Sequence, residues 1–394
     1  MLACLFVAAS AQARTEIHLI TIGPGDHLLT RSGHTALMVA ELDGEVLQSN
    51  RVYNYGDADF DNKLMPVQAI FSYIHFFLSS NETLDEAVRI YGYGQARTMS
   101  HQKLNLSDDQ IQRLRKRLES DALPENREYI YHHLEASCAT KARDLIDEVT
   151  GGAVREQLGG PTTDTTYQDM NWAFSGHAGP ALAATFFFGR PNHHPHDRYY
   201  GLYDSRRLSE GLLEVDVPGP DGPRALSDTP EIIVERQGPP VIVSPSLATW
   251  MLMFTVFVVL SILGWEARKE LPRKTRSAGF LLGAWALPFG LAGLFVGILT
   301  IFSTVPEVKY NEMLLVLPLT DLVLLAPAVQ WFRQRRSRLD RFLAPYAVAR
   351  LSLLSLYLAG WAGGLFIQRP IVIALVSWWF SLMLLSVARR SADT

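Results

Sequence analysis

Two cysteines in 394 residues exclude a disulfide scaffold. Basic residues are scarce in the first part of the chain. Over residues 1–245, Lys and Arg number 21 against 33 Asp and Glu, a net of −12. Phosphate binding needs a basic face, so nucleic acid is excluded as the ligand of this part. There is no P-loop and no G-x-G-x-x-G after a strand, so no nucleotide is called for. Nothing in the sequence requires a metal or another cofactor. Residues 246–394 have the reverse imbalance, 15 basic against 7 acidic, a net of +8, and the whole chain carries −4. Such a split points to two compartments or two solvents. An apolar content of 48% excludes a disordered chain.

Charge is missing altogether from long C-terminal stretches. No Asp, Glu, Lys or Arg occurs in 237–265, 277–306, 351–368 or 370–388, and 313–331 holds one acid, Asp321. A bilayer core takes roughly 20 apolar helical residues. The C-terminal part therefore predicts a five-helix α-helical transmembrane domain over 246–390, with spans at about 246–265, 278–303, 313–332, 346–368 and 370–388. Basic residues crowd alternate loops: Arg268, Lys269, Arg273, Lys274 and Arg276, then Arg333, Arg335, Arg336, Arg338 and Arg341, then Arg389 and Arg390. The other loops hold only Lys309 and Arg369. Basic short loops stay in the cytoplasm, which puts residues 14–236 outside, joined by a linker at 237–245. Residues 1–13 read as a signal peptide, with apolar Met1–Ala9 and an A-x-A site at Ala11-Gln12-Ala13, although its start lacks a positive charge. Cleavage there removes Cys4 and leaves Cys138 as the single thiol.

Within the outer domain, Glu16–Ile22, Thr35–Ala40 and Val46–Tyr55 alternate as strands, the last two joined by a hairpin at Asp43-Gly44. Val67–Leu78 is apolar enough for either helix or strand, and Tyr129–Leu134 is equally open. Leu84–Tyr93 is β-like in composition. Ser107 starts a helix with Ile111, Leu114 and Leu118 on one face, which Pro124 ends. Ala139–Val149 is a second helix, its first turn beginning at Ser137-Cys138 and its stop at Gly151-Gly152. Residues 151–210 are loop-rich with a helix over Ala181–Phe188. A polar linker follows at Gly219–Pro230, then a short strand, Glu231–Val234.

Cys138 at a helix N-terminus is the first chemical signal. Unpaired N–H groups and the helix dipole favour a thiolate there and can hold a developing oxyanion. His34, in Ser32-Gly33-His34-Thr35, is the candidate base, since a thiol nucleophile needs one within hydrogen-bond reach. Taken singly, an inert buried cysteine and a self-satisfied strand histidine explain both residues. A third group should orient the imidazole. A hairpin turning about Gly44 sets Asn54 opposite His34, giving a Cys–His–Asn set. A turn centred between Asp43 and Gly44 sets Tyr53 there instead, with Asp57 as the polar partner.

Several segments together resemble one family. They are Ile20-Thr21-Ile22-Gly23-Pro24-Gly25 through Ser32-Gly33-His34-Thr35-Ala36-Leu37, Tyr53-Asn54-Tyr55-Gly56 with Asp59-Phe60, Asn126-Arg127 through Tyr131, Cys138-Ala139-Thr140 and Arg143-Asp144-Leu145-Ile146. In the anchor they continue at Pro306-Glu307-Val308-Lys309-Tyr310-Asn311 and Leu314-Leu315. Their order and spacing resemble the bacterial lipoprotein N-acyltransferase Lnb family, an N-terminal periplasmic domain followed by membrane helices. The resemblance implies an α+β, papain-like cysteine domain of permuted order, His before Cys, with His34 and Cys138 as the catalytic pair. It implies a multi-pass protein of the inner (cytoplasmic) membrane with its catalytic domain on the periplasmic side. The implied activity moves an acyl chain from the diacylglyceryl group of a lipoprotein, or from a phospholipid, through a Cys138 thioester to an amine. The family often has Asn directly before the nucleophile, where this chain has Ser137 after Ala136.

Weaker signals surround this set. Ser137, Asn311, Glu312 and Asp321 are candidates for the substrate or membrane side. Asn311 and Glu312 fall at the outer interface, near a lipid head group. Asp321 is mid-span between Pro318 and Pro327, where a charge marks function or pairing, so it either lines a lipid-access groove or bonds another span. The run Asn192-His193-His194-Pro195-His196-Asp197 resembles a metal site but gathers no separated ligand pairs, which favours a solvated loop. His132, His133 and His177 compete weakly with His34. Two other functions remain open: a papain-like amidase or peptidase acting on cell-wall peptides, and a non-catalytic lipid-binding scaffold. Amine and water as acceptor are not distinguished by sequence.

Overall fold

The computed structural model describes residues 13–26, 30–59, 62–72, 74–174, 184–219, 222–236, 258, 276–368 and 371–390. The signal peptide but for its last residue, the 237–245 linker, all of the first expected span but residue 258, and His177 lie outside them. The chain divides into two compact units. One holds residues up to 69, 73–164 and 195–242. The other holds 70–72, 165–194 and 243 onward. The division differs from 14–236 and 246–390 chiefly at 165–194, which packs with the helices.

The first unit is α+β. The elements of its large sheet and the helices between them are, in chain order, β1 (Ala13–Ile22), β2 (His34–Asp43), β3 (Val46–Asp57), α1 (Met65–Phe71), β4 (Ile74–Glu82), α2 (Leu84–Ala87), a π-helix (Val88–Gly94), β5 (Met99–Lys103), α3 (Asp108–Asp121), β6 (Glu128–Tyr131), α4 (Cys138–Val149) and β7 (Glu231–Val234), with shorter helices and two small two-stranded sheets between α4 and β7. α1 crosses the division, its last two residues falling in the helical unit. The strands form one antiparallel sheet in the order β7-β5-β1-β2-β3-β4-β6. β1 is an interior strand buried on both faces, because helical segments cover both. Ile17 and Leu19 join Leu114, Leu118, Ala142 and Ile146 of α3 and α4 in one cluster. Ile20 and Ile22 join Ala87, Val88 and Tyr91 in another.

Three local expectations change. Val67–Leu78 is both alternatives in turn, α1 and then β4. Leu84–Tyr93 is helical rather than β: Thr83 and Glu86 form a capping box, and Ala87, Val88 and Tyr91 recur at helical spacing against the sheet. The polar stretch after 215 contains a hairpin, Asp216–Gly219 with Gly222–Ala225. The helices expected from Ser107 and Ser137 start where expected, and of the one expected over Ala181–Phe188 the described part, 184–187, is helical. Ser107 caps α3, its Oγ accepting from the Gln110 N–H at 3.4 Å, and α3 ends at Asp121, before Pro124.

In the helical unit, two described helices are long and apolar enough to cross a membrane, 276–302 and 340–362. A pair bent by 47°, 306–316 with 319–332, makes a third if it counts as one span. The last helix, Ile371–Arg390, contains a shorter apolar stretch, Ile373–Ser386. The described residues thus hold two or three spans by this measure, and a count of five is not reached. Glycines on the 276–302 helix face the broken segment. A Cβ at Gly279 would lie 2.3 Å from the Phe332 nitrogen, and one at Gly293 only 2.0 Å from the Leu317 oxygen. Such small residues let helix backbones approach in a bilayer, where no hydrophobic drive draws helices together.

Residues 184–194 are tied to the ends of these helices. The Asn311 amide donates to the Phe186 and Phe187 carbonyls at 2.6 and 3.2 Å, and Gln368 Nε2 donates to the Phe188 carbonyl at 2.6 Å. The Gly189 N–H donates to the Glu307 carbonyl at 2.7 Å. A Cβ at Gly189 would stand 1.8 Å from the Lys309 oxygen. Gly189→Ala should therefore lower the thermal stability of the detergent-solubilised protein by about 2 kcal/mol or more, as overpacking does. An unchanged melting temperature would show that this contact is not tight.

Candidate functional site

Ser137 is the N-cap of α4, so Cys138 is its first helical residue. The cap is a closed box: the Ser137 N–H donates to Thr140 Oγ1 at 2.7 Å, and Ser137 Oγ accepts from the Thr140 N–H at 3.4 Å. This fixes the thiol at the helix start, where Sγ accepts from the backbone N–H groups of Thr35 and Ala139. The Ser137 side chain is buried and spent on the cap. Its expected role on the substrate side is replaced by that of holding Cys138 in place.

His34 opens β2, on which Ala36 and Met38 follow with its alternation. β2 and β3 pair as Asp43↔Val46, then, after a bulge at Glu41/Leu42, as Ala40↔Asn50 and Leu37↔Tyr53. Continued, this register sets His34 against Gly56. Neither hairpin alternative of the sequence reading has that pairing, because the turn is centred between Gly44 and Glu45, later than either placed it, and the bulge adds one residue more. Asn54 nevertheless shares the side of His34, two residues from Gly56, and His34 Nε2 lies 2.6 Å from Asn54 Oδ1. Tyr53 joins the opposite core cluster and Asp57 is exposed. Of the three candidates, Asn54 is the one in contact.

Cys138, His34 and Asn54 thus converge. His34 hydrogen-bonds the Cys138 sulfur, and with Nε2 on Asn54 the nitrogen left for sulfur is Nδ1. Burial opposes charge on both partners, yet their mutual attraction and hydrogen bond outweigh it. The Cys138 pKa lies below the ordinary thiol range and that of His34 above the ordinary imidazole range. Thr35 and Ala139 N–H groups lower the thiol further, and Asn54 adds to the rise at His34. Both side chains remain partly exposed. The arrangement can hold a thiolate–imidazolium pair open to a reactant, with backbone donors at the sulfur for an oxyanion.

Three neighbours escaped the sequence reading as site residues. Gly56 has φ of +131°, and a Cβ there would lie 3.1 Å from His34 Cε1 and 3.8 Å from Cys138 Cβ. Glycine leaves the gap in which the two side chains meet. Tyr91 Oη accepts from Asn54 Nδ2 at 2.8 Å. Arg97 is buried, and its Nε donates to the Gly23 carbonyl at 2.7 Å. Gly56 had a signal in its Tyr-Asn-Tyr-Gly context; Tyr91 had none while its segment read as a strand.

The other candidates belong to the helical unit, and its interior holds them. Asn311 is occupied by the carbonyls above. The Glu312 carboxylate accepts from the Ile367 and Gln368 N–H groups at 3.1 and 3.0 Å and lies 3.8 Å from Arg190 Nη1. Both are buried, so their head-group role gives way to a structural one. Asp321 is fully buried. It pairs with Arg350 and accepts from Tyr346 Oη at 2.6 Å and Trp285 Nε1 at 3.3 Å, the bond between segments that was its structural alternative. Among the histidines of the metal-like run, His193 stacks on Tyr167 at 4.2 Å, and His196 packs with Tyr200 and Tyr203. His132 Nδ1 accepts from the Leu134 and Glu135 N–H groups, a turn-forming role.

Fold and site define a membrane protein whose α+β domain presents a thiol, an imidazole and an amide in one chain of hydrogen bonds. Residues 8–170, which carry all but the last strand of the large sheet, match the family model described as the Lnb N-terminal periplasmic domain. That match spans His34, Asn54, Gly56, Tyr91 and Cys138. No curated protein and no solved structure gives a significant match to the chain.

Two expectations can be measured. Alkylation of Cys138 by iodoacetamide, read on its peptide, should persist well below the ordinary thiol pKa of about 8.5. It should fall only as pH drops through the lowered value, and His34→Ala should move that midpoint upward. An ordinary midpoint in the wild type would contradict the ion pair. In the helical unit, Asp321→Leu should lower stability by on the order of 3 kcal/mol, since it strands a buried guanidinium. Leu at both 321 and 350 should restore much of that loss in thermal unfolding.

Proposed function

We propose that this chain is a cysteine acyltransferase that acts on membrane lipids or lipoproteins from the periplasmic side. The observation that carries it is the contact of Cys138, at the start of α4, with a His34 imidazole held by Asn54, within the residues that match the Lnb periplasmic domain. The Cys138 thiolate attacks the carbonyl of an acyl ester, and N–H groups at the helix start stabilise the tetrahedral oxyanion. The intermediate collapses to a thioester as the C–O bond breaks, and the His34 imidazolium protonates the departing alkoxide. An amine then attacks the thioester, His34 takes its proton, and the thiolate leaves to give an amide. Thioesters react readily with amines, which is a reason to use cysteine rather than serine for N-acylation. His before Cys in the chain is the order of a permuted papain-like domain.

The favoured donor is the diacylglyceryl group of a lipoprotein or a phospholipid, and the favoured acceptor the lipoprotein N-terminal amine. Both stay in a bilayer, which gives the apolar helices a purpose that a soluble cell-wall substrate would not. The alternating basic loops favour a multi-pass protein of the inner membrane with five spans.

The test is intact-mass spectrometry of the purified protein after incubation with diacyl lipoprotein or phospholipid, beside Cys138→Ala and His34→Ala. The expected result is a wild-type gain of one acyl chain that hydroxylamine removes and Cys138→Ala lacks. No adduct and unchanged substrate in all three samples would overturn the proposal.

A further inference from the structure

The amide of Asn54 works at His34 in one orientation only. Its Oδ1 must face the ring, accepting from Nε2–H, so that Nδ1 is the nitrogen that exchanges a proton with sulfur. Flipped, the Nδ2 donors would face Nε2 and demand its lone pair, moving the ring proton to the sulfur side. Nothing within the amide prefers either state, so the group on its far side decides.

That group is Tyr91, whose hydroxyl oxygen accepts from Asn54 Nδ2 at 2.8 Å. A hydroxyl can donate or accept. The carboxylates of Glu82 and Asp57 lie within electrostatic reach of Tyr91 and favour its proton turned toward them, leaving the oxygen to accept. Glu82 Oε2 is buried without a hydrogen-bond partner. Burial and the Glu82 charge push the Tyr91 pKa up to about 12, so the hydroxyl stays protonated and neutral.

The position of Tyr91 is coupled to that of His34. The π-helix carries Tyr91 toward the sheet, its ring 6.0 Å from that of His34. The Arg97 N–H donates to the Tyr91 carbonyl at 3.2 Å, and the Arg97 guanidinium donates to the Gly23 and Ile22 carbonyls at 2.7 and 3.4 Å. Ile22 is the strand partner of His34. One arginine therefore clamps the Tyr91 segment to the strand end that pairs with the histidine. Gly92 beside it would set a Cβ 3.3 Å from Val234, so a glycine allows the π-helix its close approach to β7.

We propose that Tyr91 is a positioning residue for His34, acting through Asn54 by fixing the direction of its amide; this rests on reading Cys138 and His34 as the reacting pair. Tyr91→Phe removes the acceptor and keeps the ring. The pH dependence of Cys138 alkylation in the full-length protein reports the thiolate directly and needs no lipid substrate. The midpoint in Tyr91→Phe should rise by about one unit, a tenfold slower alkylation below the midpoint. Asn54→Ala should shift it at least as far, and the double variant no further than Asn54→Ala alone, since both changes break one path. A Tyr91→Phe profile that superposes on the wild type would overturn the inference. So would shifts that add in the double variant. A wild-type thiol of ordinary pKa would overturn the reading of the reacting pair beneath it, a separate outcome seen in the first curve.

Discussion

The register of β2 on β3 is the constraint on which the site depends. Side chains alternate across a strand, so a slip of one residue would turn Asn54 from His34 into the opposite core. The bulge at Glu41/Leu42 sets that register seven residues away from the histidine. Burial on both faces then holds it, because β1 and β2 have no solvent side on which a slipped pairing could be accommodated. Cys138 arrives independently, on a helix whose first turn is closed by its own capping box. The geometry of the pair is thus the product of two rigid elements, and the gap at Gly56 lets them touch.

The two units solve their polar burial differently. In the α+β unit, buried polar groups at the site are satisfied in a line, sulfur to imidazole to amide to phenol. In the helical unit, Asp321 and Arg350 are buried together and each offsets the other's charge. Replacing a buried pair with apolar residues often costs little, while halving it costs much. The pair is therefore a fastening for the broken segment at 319–324, which lacks the regular backbone bonds of a full helix.

Much of this was legible in the chain. The α3 and α4 boundaries were visible because caps and apolar spacing agree with the final packing. Cys138 and His34 were visible because a thiol at a helix start and a histidine at a strand start are recognisable types. Asn54 was reached by a register argument that missed the bulge, and it survived because diagonal neighbours share a face. Tyr91 was hidden by Leu84–Tyr93, whose β-prone composition loses to the Thr83–Glu86 cap and to packing. Asn311, Glu312 and Asp321 were visible as polar residues in apolar surroundings. Their partners, Phe186 and Gln368, Arg190, and Arg350, lie far along the chain, and only the folded helices bring them together.

The interleaving of the two units has a consequence for biosynthesis. The α+β unit draws on no residue beyond 242, so every strand of its sheet exists before the helices from 276 onward are made. Residues 165–194 are made in the middle of that unit, yet the partners of Phe186–Arg190, namely Glu307, Tyr310, Asn311, Glu312 and Gln368, come more than a hundred positions later. Domains fold as units, N-terminal first, during synthesis. The segment must therefore leave the ribosome as a loop without a home and wait, its apolar Phe186 and Phe187 unburied, until the last helices are inserted. Its docking therefore waits for chain made more than a hundred residues later.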